Sequence, residues 1–578
     1  MKKNLKNMAW MLAATLMMAA CSDTLDEGSG NGNSNEFIGD KGYVNIGINL
    51  PTTPSTRDVS YADGTEAEYK VNDVIIALFY GDNADEAKCT HAFKISGADF
   101  KKYGTTTDNI TTYSATGVRM ISAPTSKVFA LALINAPEDK FGITGSAQEG
   151  ESTGTAILST GLKFNNGQEA FKGKLSDLNA AIEAAKIKDN TRGFFMTNAA
   201  IAIGGETPST STAQILAPIS VYNSKEIAEG EAKNNPIYVE RAAAKVTVGV
   251  KSVSGNADNT LTVEDDYPHY AGAKVLFEGW YLQNTNNTFY PVRKVDGFDT
   301  WKTDAYKIGT DNRFVGKLAN PYRIFWAVDP NYTPTTGKEG EGLTGKPTTV
   351  GTWIDMGKDE YCAENTTTAD KMTEKALTSV LLKAKFTPKD ASTDDNFFIL
   401  NNVSAIYSEA EFLLWAQNAL INANYPATGT LSIGTGLTSG KEISTVADIK
   451  DLIKSTETGE LTDNQANALL TEAGSSIKFY KEGVTYYYAT VIKHFGDEAP
   501  VAPDAVINEA KDYTEEGHLG RYGVVRNTWY ELQINTVSGP GEPEIPEIPV
   551  TPPDKQENYI NCEINVLSWA KRSQSVDL

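Results

Sequence analysis

Apolar and polar positions alternate with a period of two in many short runs of this chain, the pattern of strands that bury one face. Residues 43–50 read YVNIGINL and residues 559–566 read YINCEINV. A tyrosine, both asparagines and one isoleucine fall at matched places in the two runs. The first run puts Val44, Ile46, Ile48 and Leu50 on one face, and the second puts Ile560, Cys562, Ile564 and Val566 there. Both faces suit one apolar groove between two sheet edges, where each buried side chain contributes about 1.5–3 kcal/mol. A one-residue slip would invert every side chain, so such a pattern fixes register firmly.

Between these runs, VNDVIIALFY (71–80) and KVFALALINAP (127–137) are apolar stretches suited to central strands. IYVERAAAKVTVGV (237–250), where a second half begins, AKVLFEGWYLQN, YRIFWAV, VTYYYATVIKHF and RNTWYELQINTVS also read as strands. SDLNAAIEAAK from Ser176 predicts a short capped helix, and SEAEFLLWAQNALINA opens with Ser408 and Glu411 in capping-box register. TVADIKDLIKS and TDNQANALLTEAG add two helical stretches. The helices read as inserts on a β scaffold. A chain of 578 residues exceeds one core, so two or more mainly β domains are expected.

The ends of the chain carry different signals. Lys2, Lys3 and Lys6 precede MAWMLAATLMMAA, an export signal over 1–20 too short to span a membrane. It ends in MMAAC, which resembles a lipobox with Cys21 as the lipidated first residue. A polar Gly/Asn/Ser-rich tether over 21–40 follows. After the first strand, Pro51 opens a turn-rich stretch with Arg57, the first arginine of the chain. A cut between Arg57 and Asp58 would free the strand of 41–57. Near the other end, GPGEPEIPEIPVTPPDKQ (539–556) favours an extended polyproline arm. At about 3.1 Å per residue it would span about 50 Å. The arm would carry 557–578, with Trp569 just past the strand, away from the body. Those residues are too few to fold alone, so their partner is expected elsewhere. Lending a strand to the next copy's sheet is β-augmentation; being head-to-tail, it propagates into a fibre.

A net charge of −22 with no basic patch excludes nucleic acid as a partner. Cys89, Cys362 and Cys562 have no metal-ligand spacing and do not form a disulfide framework; Cys362 is expected to pack inside. His91, His269, His494 and His518 fall in no ligand motif, and no nucleophile elbow, P-loop or dinucleotide fingerprint occurs. Asp265–Asp266 and Asp394–Asp395 read as solvated turns. No enzyme, metal or cofactor is expected. Trp301, Trp326, Trp353 and Trp415 could form a carbohydrate platform, which leaves a monomeric surface glycan-binding lipoprotein as the alternative function. Core packing is the expected role for most of these tryptophans. A glycan binder would have no need of a proline arm followed by an amphipathic strand.

Several segments, in this order, resemble the fimbrillins that build type V pili of Bacteroidales, and most closely the Mfa-type minor fimbrillin stalk subunit. They are the lipobox at Cys21, the loop arginine, VFALALINAP, GFFMTN, VERAAAKVTV, YCAENT (361–366), VVRNTWYELQI and the C-terminal VLSWAKRSQSVDL. The resemblance implies two tandem transthyretin-like β-sandwich domains, over 58–238 and 239–538, with short helical insertions and a C-terminal donor strand over 557–578. It implies export through the periplasm as an outer-membrane lipoprotein, which touches the membrane only through its lipid. It also implies cleavage after Arg57 by a trypsin-like protease and donor-strand polymerisation into a fimbrium for adhesion and biofilm formation. The implied partners are further copies of the chain, with anchor and tip pilins.

Overall fold

The computed structural model describes residues 37–568 except 38–39, 51–67, 69, 108–109, 116, 166, 231–235, 252–257, 309–310, 317–321, 332–352, 497–498, 500–517 and 549–559. Cys21, Arg57, Asp58 and Trp569 lie outside the described residues, as do the signal segment and most of the tether.

The chain is mainly β, as its alternation predicts. Its first part supplies β1 (Lys41–Val44), β2 (Gly47–Leu50), β3 (Asp73–Gly81), β4 (Lys88–Ser96), β5 (Phe100–Thr107), β6 (Ile110–Ala115), β7 (Arg119–Ser122), β8 (Lys127–Ile134), β9 (Met196–Asn198) and β10 (Ala217–Ile219). Helix α1 (Lys225–Gly230) and β11 (Pro236–Arg241) follow. The main sheet runs β4-β3-β8-β9-β11-β2-β6-β5, with β10 also on β8. Strands β3 and β8 are continuous apolar runs because both their faces are covered. Ile76, Leu78, Leu131 and Leu133 are wholly buried there.

Ala242 alone separates β11 from β12 (Ala243–Val250), so the chain enters the second part almost without leaving strand geometry. There follow β13 (Thr260–Thr262), β14 (Lys274–Gln283), β15 (Asp359–Ala363), β16 (Ser379–Thr387), β17 (Phe397–Leu400), β18 (Val403–Ser408) and α2 (Glu409–Asn422). Then come β19 (Lys441–Ile443), α3 (Val446–Leu452), α4 (Asp463–Glu472), β20 (Ile477–Tyr480), β21 (Val484–Val491), β22 (Thr528–Val537) and β23 (Ile560–Ser568). Two four-stranded sheets, β15-β12-β22-β23 and β13-β14-β16-β21, enclose a core of Val246, Val248, Phe277, Trp280, Leu382 and Leu532.

The expected helical inserts occur, but 398–479 is more than decoration. Sheet β18-β17-β20-β19 and helices α2, α3 and α4 bury a core of their own, with Phe398 stacked between Phe412 and Phe479. Helix α2 starts where the capping box predicts: Ser408 Oγ accepts from the Glu411 N–H, and the Glu411 carboxylate accepts from the Ser408 N–H. The helix expected from Ser176 is reduced to one turn, Leu175–Leu178. Ile182 leaves it to pair with Phe289, and tertiary pairing overrides the local propensity.

The joint between the two parts is ionic and buried. Glu240, at the end of β11, is wholly buried and accepts from Arg293 Nε at 2.7 Å, Arg293 Nη2 at 2.9 Å and Arg323 Nη2 at 3.1 Å. Burial alone would push its carboxyl up, but the two guanidiniums hold it below the usual carboxylate range. A folded-state value below the unfolded one contributes stability above the ordinary carboxylate range and loses it as pH falls through the folded value. Glu240→Gln should therefore cost about 3–5 kcal/mol at neutral pH, since both guanidiniums would stay buried without their counter-charge. Urea unfolding at several pH values should show the variant's acid limb flatter than the wild type's.

Candidate functional site

Among the described residues, what stands out is how the two end strands are held. Val44, Ile46 and Ile48 are each at most 2 % exposed and belong to the first core. Strand β2 lies inside the sheet rather than at its rim. It runs parallel to β11, with Ile48 opposite Ile237, and antiparallel to β6, with Ile48 opposite Tyr113. Both its flanks thus carry main-chain ladders, as one groove between two edges predicts. Leu50 ends the strand opposite Thr111.

The sequence run reads as one strand, but the structure breaks it at Asn45–Ile46. β1 pairs with β7 in a separate two-stranded sheet, and Tyr43 exchanges two 2.8 Å backbone hydrogen bonds with Tyr222. The reason for the break is Asn45, which is 6 % exposed. Its side-chain amide donates to Ala228 O at 2.9 Å and Glu229 O at 3.2 Å, two of the last carbonyls of α1. Helix-end carbonyls have no partner within the helix, so the asparagine caps them from outside. The face opposite Val44, Ile46 and Ile48 is therefore buried as well, Gly47 included.

The chain is fastened again from Glu68 onward. Glu68 is 1 % exposed and accepts from Lys245 Nζ at 3.0 Å and the Tyr361 hydroxyl at 2.6 Å, while Arg241 Nε donates to its backbone carbonyl at 2.9 Å. Burial and the Glu68 carboxylate both push the Tyr361 phenol up, so it remains a donor. Asn135, in the left-handed region at φ 53°, accepts from Asn72 N at 2.7 Å and donates to Lys70 O at 2.7 Å. Two sets of contacts thus hold 41–50 and the residues from 68 onward independently. In sequence, Arg57 falls between them.

The tail strand has a different setting from the expected one. β23 pairs antiparallel with β22 of its own chain and closes that edge of the second sandwich. Its register sets Val566, Ile564, Cys562 and Ile560 opposite Tyr530, Leu532, Ile534 and Val537, all buried in the body. The expectation that the arm leads away from the body fails over its described part. Tyr487 donates to Gly539 O at 2.9 Å and Tyr480 to Gly541 O at 2.7 Å. Glu542 exchanges two 2.8 Å backbone hydrogen bonds with Tyr486 and pairs with Lys478 at 2.8 Å. Three tyrosines and a lysine clamp the root of the arm before the prolines can extend it.

Three motifs singled out in the sequence converge on the joint. VERAAAKV supplies Glu240, Arg241 and Lys245; YCAENT supplies Tyr361, Glu364 and Asn365; VVRNTW supplies Arg526 and Asn527. Arg526 pairs with Glu364 with both side chains wholly buried, and Asn527 Oδ1 accepts from Arg241 N and Nη1 at 3.2 Å each. Sequence reasoning saw the motifs but not that they meet, because their partners lie hundreds of positions apart. The four tryptophans do not form one platform. Trp301 and Trp326 are buried in a core with Phe314, Trp415 packs on the helical insert, and Trp353 stacks on Tyr486. Cys362 is buried, and no cluster of metal-ligating side chains occurs among the described residues.

Residues 478–575 match the family described as major fimbrial subunit protein type IV, fimbrillin, C-terminal. No curated protein matches the chain. Among solved structures, a fimbrilin (FimA) from Porphyromonas gingivalis is 13 % identical, with 92 % of this chain and 99 % of that one covered at a TM-score of 0.34. A putative cell adhesion protein from Parabacteroides distasonis is 10 % identical, with 92 % and 98 % covered at 0.35. The tip fimbrial protein Mfa3 from Porphyromonas gingivalis is 11 % identical, with 90 % and 99 % covered at 0.29. The sequence match takes in the clamped root of the arm, β22 and the tail strand, and over this C-terminal region the chain is similar to the fimbrillins.

Proposed function

We propose that the protein is the stalk subunit of a type V pilus, of the Mfa-type minor fimbrium. In this reading it is exported as a lipoprotein through Cys21, reaches the outer membrane by way of the periplasm, and is cut after Arg57. It then polymerises by donor-strand exchange into a surface fimbrium for adhesion and biofilm formation. One observation carries the reading. A front strand with ladders on both flanks is joined to an independently fastened body through residues 51–67, which include Arg57. Loss of that strand would open β11 and β6 together, and a strand of matching pattern ends the same chain.

The uncut subunit is self-contained in this scheme. Its slot is filled by β2 and its tail lies on β22, so neither the slot between β11 and β6 nor the flank of β22 is open to a neighbour. After the cut the tail must leave β22 and enter the vacated slot of the next copy. Anchor and tip pilins would cap the ends of the polymer, and a trypsin-like protease would make the cut.

Trypsin treatment of the purified precursor should yield a species that begins at Asp58, followed by a ladder of SDS-resistant oligomers. Arg57→Ala should stay monomeric, and deletion of 559–578 should stop the ladder after normal cutting. A cut body that never oligomerises would refute the scheme. Ile48→Ala should destabilise the uncut precursor by about 2–5 kcal/mol in urea unfolding, yet leave the finished polymer unchanged, because the cut discards that residue. Ile564→Ala should instead weaken the polymer, as read by the temperature at which the ladder dissolves in SDS.

A further inference from the structure

We infer that Asn561 sets the register of the exchanged strand by taking the place of Asn45 beneath the last carbonyls of α1 in the next copy. The inference rests on the donor-strand reading above. When Tyr559 is aligned with Tyr43, Asn561 falls on Asn45, Cys562 on Ile46, Ile564 on Ile48 and Val566 on Leu50. Departure of the front strand strips Ala228 O and Glu229 O of the amide that caps them. Ala228 is wholly buried, and a buried carbonyl without a donor is costly, so whatever fills the slot must bring N–H groups to that point.

The apolar pattern excludes a one-residue slip but leaves slips of two residues open. A two-residue slip one way keeps apolar residues at all three buried positions, with Cys562 on Val44, Ile564 on Ile46 and Val566 on Ile48. That slip puts Glu563 in the notch. A carboxylate has acceptors only, and it would face two carbonyl oxygens in a buried place. The opposite slip puts Tyr559 in the notch and the polar Asn558 on Val44, which is wholly buried. A four-residue slip would bring Asn565 to the notch, but then Ser568 replaces Ile48. Only the unslipped register supplies both the amide and the apolar side chains.

A second observation marks the same peptide. In the front strand regular pairing lapses over Asn45 and Ile46, where the chain passes from one sheet to another. In the tail the strand runs on unbroken, but its partner β22 carries an extra residue, Asn535, opposite the step from Asn561 to Cys562. Both ladders are thus irregular beside the aligned asparagine. The unslipped register also sets Glu563 on Gly47, so the tail fits less closely there than the strand it replaces.

The test uses the full-length precursor carrying Asn561→Asp, which keeps the side chain's size and removes its donors. Asn565→Asp makes the same change one repeat further on, and deletion of 559–578 is the third arm. The uncut Asn561→Asp protein should melt as the wild type does and be cut at the same rate. After trypsin its SDS-resistant oligomers should fall by at least about tenfold, the cost of one buried hydrogen-bonding group left unmet, while Asn565→Asp keeps most of them. An undiminished ladder from Asn561→Asp, or an equal loss from both aspartates, would overturn the inference. A ladder that survives deletion of the tail would instead overturn the donor-strand reading on which it stands.

Discussion

A strand in the interior of a sheet answers to two neighbours at once, and everything proposed for this protein follows from that constraint. Strand β2 satisfies β11 on one side and β6 on the other. Its removal would leave two rows of backbone donors and acceptors without partners, together with the cavity left by three buried side chains. A vacancy of that kind accepts another strand of the same pattern, and little else. The competition between front strand and tail is unequal while the chain is intact. The front strand is covalently attached, has glycine where the tail has Glu563, and has no other place to go. In the proposed scheme cleavage would remove its one lasting advantage, the tether, so that a slightly poorer strand could replace it.

Much of this was legible in the sequence wherever the information is local. The capping box at Ser408 and Glu411 forms helix α2 because both partners lie within one turn. The apolar runs of β3 and β8 declare central strands because nothing exposed tolerates such composition. The matched end strands could be seen because period two is a property of a few residues. What could not be seen is long-range. Asn45 looks like any polar position on an alternating strand, and its role is set by carbonyls from residues 228 and 229. The prolines of the arm suggest extension, but the arm's root is held by tyrosines of β20 and β21. The run of three tyrosines at 486–488 gives no sign in sequence that two of them act on a segment some fifty residues later.

The joint shows the same division. Buried ion pairs are expensive relative to apolar packing and are weak evidence for stability as such. Their directional geometry matters more here. Glu240 and Arg241 end β11, Lys245 sits in β12, and each is tied to a different later segment: Glu240 to Arg293 and Arg323, Arg241 to Asn527, Lys245 to Glu68. An apolar joint of equal volume could slide. Bidentate pairing of Arg293 to Glu240 fixes both distance and angle, so the first and second parts are held in one relation to each other.

That rigidity bears on how a polymer of such subunits would carry tension. A donor strand in the slot would lie parallel to β11, so a pull along the fibre would load their hydrogen bonds in shear, all together. β11 continues through Ala242 into β12, and β12 runs parallel to β22 over six paired positions from Lys245 to Val250. β22 leads directly into the clamped root of the arm and from there to the next donor strand. In such a polymer the described part of the load path would pass through strands arranged end to end and side by side. The buried charges at Ala242 stand at the one place on this path where the chain leaves one sheet for another. A break there would uncouple the first part from the second, and the ion pairs of Glu240 and Lys245 lie on either side of that alanine.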